Sequence, residues 1–140
     1  MDAIIEQIKA GLIFKKRFPF EGRILFEIYS LLPEKSNLFL SNSMPVRDFE
    51  YFISGRKEVN LYYNRGASGI DGIISSACGA GQNSNSPTTL VIGDLAFYHD
   101  LNSLYLCKRL KKPLVIILIN NGGGGIFEML PIAGEKIDFE

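Results

Sequence analysis

The chain has 140 residues, of which 46% are hydrophobic, and its 15 basic side chains balance 15 acidic ones. This length and apolar fraction predict one domain, which would bury roughly 68% of the surface of the unfolded chain. A neutral charge balance argues against a nucleic-acid partner, because nucleic-acid-binding domains usually carry an excess of basic side chains. A short basic cluster, Lys15-Lys16-Arg17, is interrupted by Phe18 and Pro19 and is typical of a solvated surface segment.

The first residues of the chain and its cysteines both indicate a cytoplasmic protein. Asp2 and Glu6 stand where an export signal requires basic residues, and no apolar run approaches the length of a membrane span. Cys78 and Cys107 lie in apolar, helix-like contexts without the spacing of a metal site or of a disulfide framework. We therefore expect buried free thiols, with neither export nor membrane insertion.

Two apolar stripes with helical spacing open the chain. The first runs from Ile4 to Leu12 and is followed by Pro19. The second is closed by Pro33 and comprises Ile24, Ile28, Leu31 and Leu32. We expect residues 1–20 to form a connecting segment and residues 21–140 to form the domain itself.

Short apolar runs then alternate with helical patterns. The predicted strands are Leu38–Leu40, Asn60–Tyr63, Thr89–Ile92 and Leu114–Ile119. Three helices are predicted, one beginning at Pro45 with Ser43 as its cap, one over Ile70–Ala80, and one with an apolar face from Phe97 to Leu110. The run Leu114–Ile119 is so uniformly apolar that we expect a strand buried on both faces. The alternation predicts an α/β fold with a parallel, doubly wound sheet.

Polar residues that packing does not explain follow several of these strands. They form the turns Asn42–Arg47 and Asn64–Gly72 and a third set, Asp94 with Asn121, four glycines and Ile126-Phe127. Open α/β sheets bind their ligands at the carboxyl ends of the strands. We therefore expect the three polar segments to meet at one rim of the sheet.

Asp94 and Asn121 form the most informative pair, because they follow two neighbouring apolar runs at about the separation of a strand-helix-strand unit. One carboxylate, one side-chain amide and a backbone carbonyl freed by glycine are oxygen donors that suit Mg²⁺ with diphosphate. The alternative for each half alone is an ordinary turn. Together they predict a metal-diphosphate site.

Arg47 and Arg65 would lie beside that site. A guanidinium offers a planar pair of donors to a carboxylate, so two arginines at this rim can hold an anionic substrate. The alternative for either arginine alone is a surface ion pair.

The Asp94 and Asn121 pair resembles the motif of thiamine diphosphate enzymes, in which Gly-Asp-Gly is followed by Asn-Asn. Leu95 replaces the third glycine, as it does in one branch of this family. The chain resembles that branch, the 2-succinyl-5-enolpyruvyl-6-hydroxy-3-cyclohexene-1-carboxylate (SEPHCHC) synthases of menaquinone biosynthesis. The segments that carry the resemblance are Asn42–Arg47, Asn64–Gly72, Gly93–Leu95, Asp100–Asn102, Asn120–Phe127 and Leu130-Pro131.

This resemblance implies decarboxylation of 2-oxoglutarate and addition of the succinyl unit to isochorismate, with thiamine diphosphate and Mg²⁺ as cofactors. The implied Mg²⁺ ligands are Asp94, Asn121 and the Gly123 carbonyl. The side chains implied to face the substrate carboxylates are Ser43, Arg47 and Arg65. The implied cofactor-binding residues are Ser68, Gly69, Ile70, Gly93, Asp94, Leu95, Asn121, Ile126, Phe127 and Leu130.

Among the implied cofactor contacts, Ile70 would support the bent cofactor between its two rings. Ile126, Phe127 and Leu130 would line the apolar wall beside the thiazolium. For Ile70, Phe127 and Leu130, the sequence alone favours ordinary core packing.

The resemblance also implies parts that this sequence does not contain. SEPHCHC synthases need a pyrimidine-binding domain, from the same or a partner subunit, whose glutamate helps to activate the cofactor. They also continue well past the Leu130-Pro131 segment. We therefore expect a diphosphate-binding domain truncated at its C-terminus, inactive alone, from a homo-oligomeric parent enzyme.

Two other interpretations stay open from the sequence. One is another thiamine diphosphate enzyme, such as an acetolactate synthase-like ligase or a decarboxylase, which would not explain Arg47 together with Arg65. The other is a non-catalytic module that binds a cofactor or nucleotide. A dinucleotide-binding form is disfavoured, because no GxGxxG turn follows the first strand.

Overall fold

The computed structural model describes residues 20–54, 57–82 and 84–129. Within these ranges the chain forms one parallel sheet of four strands in the order β2-β1-β3-β4. The strands are β1 (Asn37–Leu40), β2 (Asn60–Tyr63), β3 (Thr88–Gly93) and β4 (Leu114–Ile119). The predicted α/β class and parallel sheet are confirmed.

Helices connect the strands and cover both faces of the sheet. The α-helices are α1 (Glu21–Leu31), α2 (Met44–Phe52), α3 (Ile73–Gln82) and α4 (Asp94–His99). Two 3-10 helices follow, at Leu101–Arg109 and Gly125–Met129. No helix in the described part of the chain is both long and apolar enough to span a membrane.

Alternate side chains of the strands build a core on each face of the sheet, as expected for a period of two residues. Leu38 and Leu40 face α1 and α2, where the buried cluster also contains Leu25, Val46 and Val91. The opposite cluster lies under α3 and contains Phe39, Ile73, Ile74, Leu90 and Ile92. This two-sided burial fixes the sheet and leaves the carboxyl ends of its strands available for a site.

The strand order creates a switch point between β1 and β3. The chain runs outward from β1 to β2 and then crosses back to β3 on the other side of β1. Connections leave β1 and β3 toward opposite sides, which opens a crevice between their carboxyl ends. Gly93 pairs with Ile119 in the register of β3 with β4, so Asp94 and Asn121 follow adjacent strands as predicted.

The predicted helix from Phe97 to Leu110 is interrupted and only partly α-helical, although Phe97, Leu104, Cys107 and Leu110 pack against the core as predicted. α4 ends at His99, and Asp100, with φ −119° and ψ 23°, separates it from the 3-10 helix Leu101–Arg109. The Asp100 carboxylate accepts hydrogen bonds from the Ser75 backbone N–H at 2.9 Å and from the Ser103 hydroxyl. These bonds hold the segment against the first turn of α3, and apolar spacing alone does not reveal such a break.

Smaller differences between the predictions and the structure concern the ends of two helices and the exposure of Leu31. α3 begins at Ile73 rather than Ile70, because Gly72 has a φ of +65°, and ends at Gln82 rather than Ala80. Ser43 is the N-cap residue of α2, but its side chain makes no cap hydrogen bond. In the second predicted apolar stripe, Leu31 is 82% exposed, whereas Leu32, the residue after α1, is buried.

β4 is not buried on both faces within the described residues. It lies at one end of the sheet order, and Val115 and Leu118 are each about half exposed. The expectation drawn from its uniformly apolar sequence is therefore wrong for this part of the chain.

The two cysteines are free and lie in contact, with 3.5 Å between their Sγ atoms. Cys78 is buried, as expected, whereas Cys107 is only half-buried. Burial, followed by the hydrogen bond to Cys107, raises the pKa of the Cys78 thiol.

Candidate cofactor-binding site

A cavity of about 150 Å³ lies at the switch point between the ends of β1 and β3. The residues that line it come from the ends of β3 and β4, from α1, α2 and α4, and from the loops after β1, β2 and β4. They are Glu21, Asn42, Ser43, Met44, Pro45, Ile70, Gly93, Asp94, Leu95, Ala96, Ile119, Asn121, Gly124, Gly125, Ile126 and Phe127. Polar groups therefore meet an apolar wall, the composition expected of a cofactor site.

The loop after β4 folds back onto the end of β3. Gly122, Gly123 and Gly124 have φ angles of +84°, +89° and +66°, a left-handed conformation that side chains other than glycine adopt at a cost. This conformation directs the Gly123 backbone N–H to Asp94, whose Oδ2 accepts it at 2.9 Å. The other carboxylate oxygen of Asp94 accepts the Leu95 backbone N–H at 2.7 Å.

The two asparagines that follow β4 have different tasks. Asn120 Oδ1 accepts the Gly122 backbone N–H at 3.0 Å and so shapes the loop. Asn121 lines the cavity, and its Nδ2 donates to Glu21 Oε1 at 3.0 Å. Asp94 and Gly123 are thus hydrogen-bonded to each other, and Asn121 lines the same cavity as Asp94. Their role as metal ligands stays a prediction.

Asn42 joins the end of β1 to the loop after β2. Its buried amide donates to the carbonyls of Asn64 at 3.0 Å and Gly69 at 2.6 Å. The loop is thereby drawn toward the cavity, where Ile70 becomes part of the lining. Asn42 Oδ1 is buried and has no hydrogen-bond partner among the described residues, which leaves an acceptor at a cavity-lining residue.

The three residues implied to bind substrate differ in their position relative to the cavity. Ser43 lines the cavity with a φ of +71°, and its carbonyl accepts a hydrogen bond from Arg47 Nη1 at 2.6 Å. Arg47 does not belong to the cavity lining, but this bond joins its guanidinium to a lining residue. Arg65 is exposed in the loop after β2 and does not belong to the cavity lining in the described structure.

The implied cofactor contacts are mostly brought together. The cavity lining includes Ile70, Gly93, Asp94, Leu95, Asn121, Ile126 and Phe127. Ser68 and Gly69 lie outside that lining, and the exposed Ser68 donates its hydroxyl to the Arg65 carbonyl at 3.0 Å. Leu130 falls outside the described residues, so its role stays a prediction.

Sequence reasoning missed several residues of the site. The sequence places Asn42 in a polar turn but indicates no contact for it, and the lining residues Met44, Pro45 and Ala96 have no polar signal. Glu21 lies 100 residues before Asn121, so no local pattern indicates their contact.

Asp48, in α2, is a second unusual group near the site. It is buried, and its Oδ2 has no hydrogen-bond partner in the described parts of the chain. Burial, and secondarily the negative charge of Glu21, raise the pKa of the Asp48 carboxyl to about 7. Protonation of Asp48 avoids the cost of a buried unpaired charge.

The residues that line the cavity, together with the glycine loop after β4, fit a metal-bound diphosphate. In the described residues no cluster of three His, Cys, Asp or Glu side chains could hold a metal, so ligation would depend on a carboxylate, an amide oxygen and a backbone carbonyl. Such an oxygen set suits a hard cation that keeps further places for phosphate oxygens. The apolar residues on the other side suit an aromatic ring system.

Residues 49–135 match the family described as thiamine pyrophosphate enzyme, C-terminal TPP binding domain. The chain is also similar to proteins named 2-succinyl-5-enolpyruvyl-6-hydroxy-3-cyclohexene-1-carboxylate synthase. In Bacillus velezensis the identity is 52% over 122 residues, which cover 86% of this chain and 21% of the relative.

Two further relatives carry the same name. The protein of Listeria monocytogenes is 51% identical over 121 residues, covering 86% of this chain and 21% of the relative. That of Chlorobium limicola is 53% identical over 115 residues, covering 81% and 20%. The chain thus spans about a fifth of the length of these relatives, and it belongs to the family of C-terminal TPP-binding domains of thiamine pyrophosphate enzymes.

Proposed function

We propose that this chain is the diphosphate- and metal-binding domain of a SEPHCHC synthase of menaquinone biosynthesis, a thiamine diphosphate-dependent transferase. The observation that carries the proposal is the contact of Asp94 with the Gly123 backbone, where Asp94 and Asn121 line a cavity together with apolar side chains. Relatives about 50% identical over 86% of the chain bear that name, which supports this branch over other thiamine diphosphate enzymes.

In this proposal, Asp94, Asn121 and the Gly123 carbonyl hold Mg²⁺ against the cofactor diphosphate. Asp94 already accepts two backbone N–H groups, yet its oxygens keep free lone pairs for a metal, because each carboxylate oxygen offers about two acceptor sites. The existing bonds orient the carboxylate before a ligand arrives, which reduces the entropy cost of binding.

The proposed reaction joins two anionic substrates, with release of carbon dioxide from 2-oxoglutarate and addition of the succinyl unit to isochorismate. Thiamine diphosphate, when bound, supplies the carbanion chemistry of this step. Arg47, held by the Ser43 carbonyl at the cavity edge, binds a substrate carboxylate. Arg65 is exposed and can turn toward a second carboxylate when substrate binds.

The apolar side chains have a positioning role. Ile70 is fixed in the lining by the Asn42 bond to Gly69 and supports the cofactor between its rings. Ile126 and Phe127 exclude water from the thiazolium side, as does Leu130. The pyrimidine-binding domain of the same or a partner subunit completes the site in a homo-oligomeric, cytoplasmic enzyme.

The proposed domain extends over residues 21–140, preceded by a connecting segment at residues 1–20. The chain spans about a fifth of the length of its relatives, so we expect that it does not catalyse the reaction alone.

Titration calorimetry tests the proposal directly. We expect the chain to bind thiamine diphosphate only when Mg²⁺ is present, and to bind ATP and NAD much more weakly under the same conditions. Equal binding of all three compounds would reject the cofactor assignment in favour of a general nucleotide-binding module. In a full-length enzyme carrying this segment, isochorismate should be a better acceptor than a second pyruvate, which separates this proposal from an acetolactate synthase-like ligase.

A further inference from the structure

Glu21 contacts the cavity from an unexpected direction. It is the first residue of α1, it lines the cavity, and its Oε1 accepts a hydrogen bond from Asn121 Nδ2 at 3.0 Å. The proposed metal and substrate contacts do not involve this carboxylate.

Close helix packing holds Glu21 in place. Gly22 is buried where α1 meets α2, and a Cβ atom there would collide with the ring of Phe52. Phe20 packs edge-to-face on the same ring at a centroid distance of 5.0 Å. The start of α1 is therefore anchored on both sides of Glu21, which limits how far its side chain can move from the cavity.

The Asn121 amide is confined from a second side by Gly125. A Cβ atom at Gly125 would lie only 2.6 Å from Asn121 Nδ2 and 3.0 Å from Asn121 Cγ. Glycine at this position therefore makes room for the amide, which lies between the Gly125 backbone and the Glu21 carboxylate.

A carboxylate partner determines the orientation of an asparagine side-chain amide. An ionised Glu side chain only accepts hydrogen bonds, whereas the two ends of an asparagine amide are a donor and an acceptor. The nitrogen of Asn121 therefore faces Glu21, and the opposite orientation would bring its oxygen against a negative charge. Glu21 thus directs Asn121 Oδ1 away from α1.

We propose that Glu21 is a positioning residue that fixes the Asn121 amide with its oxygen available to the metal. This inference rests on the proposed function, in which Asn121 Oδ1 is a Mg²⁺ ligand. Glu21 acts through Asn121 and does not itself touch the metal or the diphosphate.

Three substitutions of Glu21 distinguish a positioning role from a purely electrostatic effect of its negative charge. Glu21→Ala removes the acceptor. Glu21→Asp keeps the charge but shortens the side chain by one methylene, and Glu21→Gln keeps the length but presents both a donor and an acceptor to Asn121. Glu27→Gln is the matched control, because Glu27 is an exposed carboxylate on the same helix.

The first measurement needs no bound cofactor. In ¹H–¹⁵N spectra of the chain, the side-chain amide signals of Asn121 are identified by their absence in Asn121→Asp. We expect Glu21→Ala and Glu21→Gln to shift these signals and to accelerate their hydrogen exchange, while Glu27→Gln leaves them unchanged. Unaltered Asn121 signals in Glu21→Ala overturn the inference.

The second measurement is calorimetric binding of thiamine diphosphate at fixed Mg²⁺. We expect Glu21→Ala and Glu21→Asp to weaken binding roughly tenfold, the scale of one hydrogen bond to a charged group at a partly exposed site, and Glu21→Gln to weaken it less. Wild-type affinity in Glu21→Asp together with tenfold loss in Glu21→Gln indicates a charge effect and overturns positioning. If neither the wild-type chain nor a full-length enzyme carrying this segment binds the cofactor, the proposed function fails, and the Asn121 amide signals alone decide whether Glu21 orients the amide.

Discussion

The carboxylate of Asp94 accepts the backbone N–H of Gly123 at 2.9 Å. This bond ties the turn after β3 to the loop after β4, and it orders two of the proposed metal ligands before any metal binds. The positive φ angles of the glycine run make this approach possible, because other residues would strain the loop.

Replacing Asp94 tests the metal assignment. In Asp94→Ala we expect the Mg²⁺-dependent affinity for thiamine diphosphate to fall by roughly tenfold or more, since a charged ligand and hydrogen-bond acceptor is lost. The far-ultraviolet circular dichroism should stay the same, because Asp94 is not part of either core cluster. Glu50→Ala, which removes an exposed carboxylate from α2, serves as the control. Unchanged affinity in Asp94→Ala would remove Asp94 from the set of ligands.

Much of the fold could be predicted because its determinants are local. The apolar runs of β3 and β4 and the polar residues that end them lie together in the sequence, and parallel pairing then brings Asp94 near Asn121. The break at Asp100 could not be predicted in this way, since it depends on a hydrogen bond to Ser75 in another helix. The sequence pattern of apolar residues is compatible with either helix type.

The residues of the candidate site could likewise be predicted only in part from the sequence. Residues on the strand ends were predictable from their chemistry and position, whereas Glu21 reaches the cavity only through the packing of α1 on α2. Arg65 is the opposite case, because the sequence predicted its loop but its exposed side chain lies outside the cavity lining. Its contact with substrate therefore stays a prediction.

The two arginines can be tested in a full-length enzyme that carries this segment. A lysine cannot reproduce the planar pair of donors of a guanidinium, so Arg47→Lys and Arg65→Lys should each lose about 1.5–3 kcal/mol of transition-state binding, measured as kcat/KM for the anionic substrates. Cofactor affinity should change little. Arg109→Lys, at an exposed position outside the cavity lining, is the control, and kinetics equal to that control would assign both arginines to the surface.

Asn42 should be important for stability as well as for the site. Its amide satisfies the carbonyls of Asn64 and Gly69 in a buried position, so Asn42→Ala should lower the free energy of unfolding by about 1–3 kcal/mol. Urea denaturation measures this loss, with the exposed Asn85→Ala as control. Equal midpoints for the two variants would show that the bonds to the loop after β2 contribute little.

Asp48 should make the chain less stable as the pH rises. A carboxyl group whose pKa is lowered by folding has the opposite effect. Its carboxyl has a pKa of about 7 in the folded chain, against an ordinary value of 3.8, so between these values the folded state binds more protons than the unfolded state. The contribution of Asp48 is therefore complete below pH 3.8 and is lost as the pH rises toward 7. Asp48→Asn cannot ionise and should remove this part of the pH dependence, leaving the variant more stable than wild type at pH 8.

Urea denaturation at pH 5 and pH 8 checks the prediction for Asp48→Asn, with Glu50→Gln as a control for loss of an exposed charge. If Asp48→Asn and wild type lose the same free energy of unfolding between the two pH values, Asp48 is already ionised in the folded chain at pH 5.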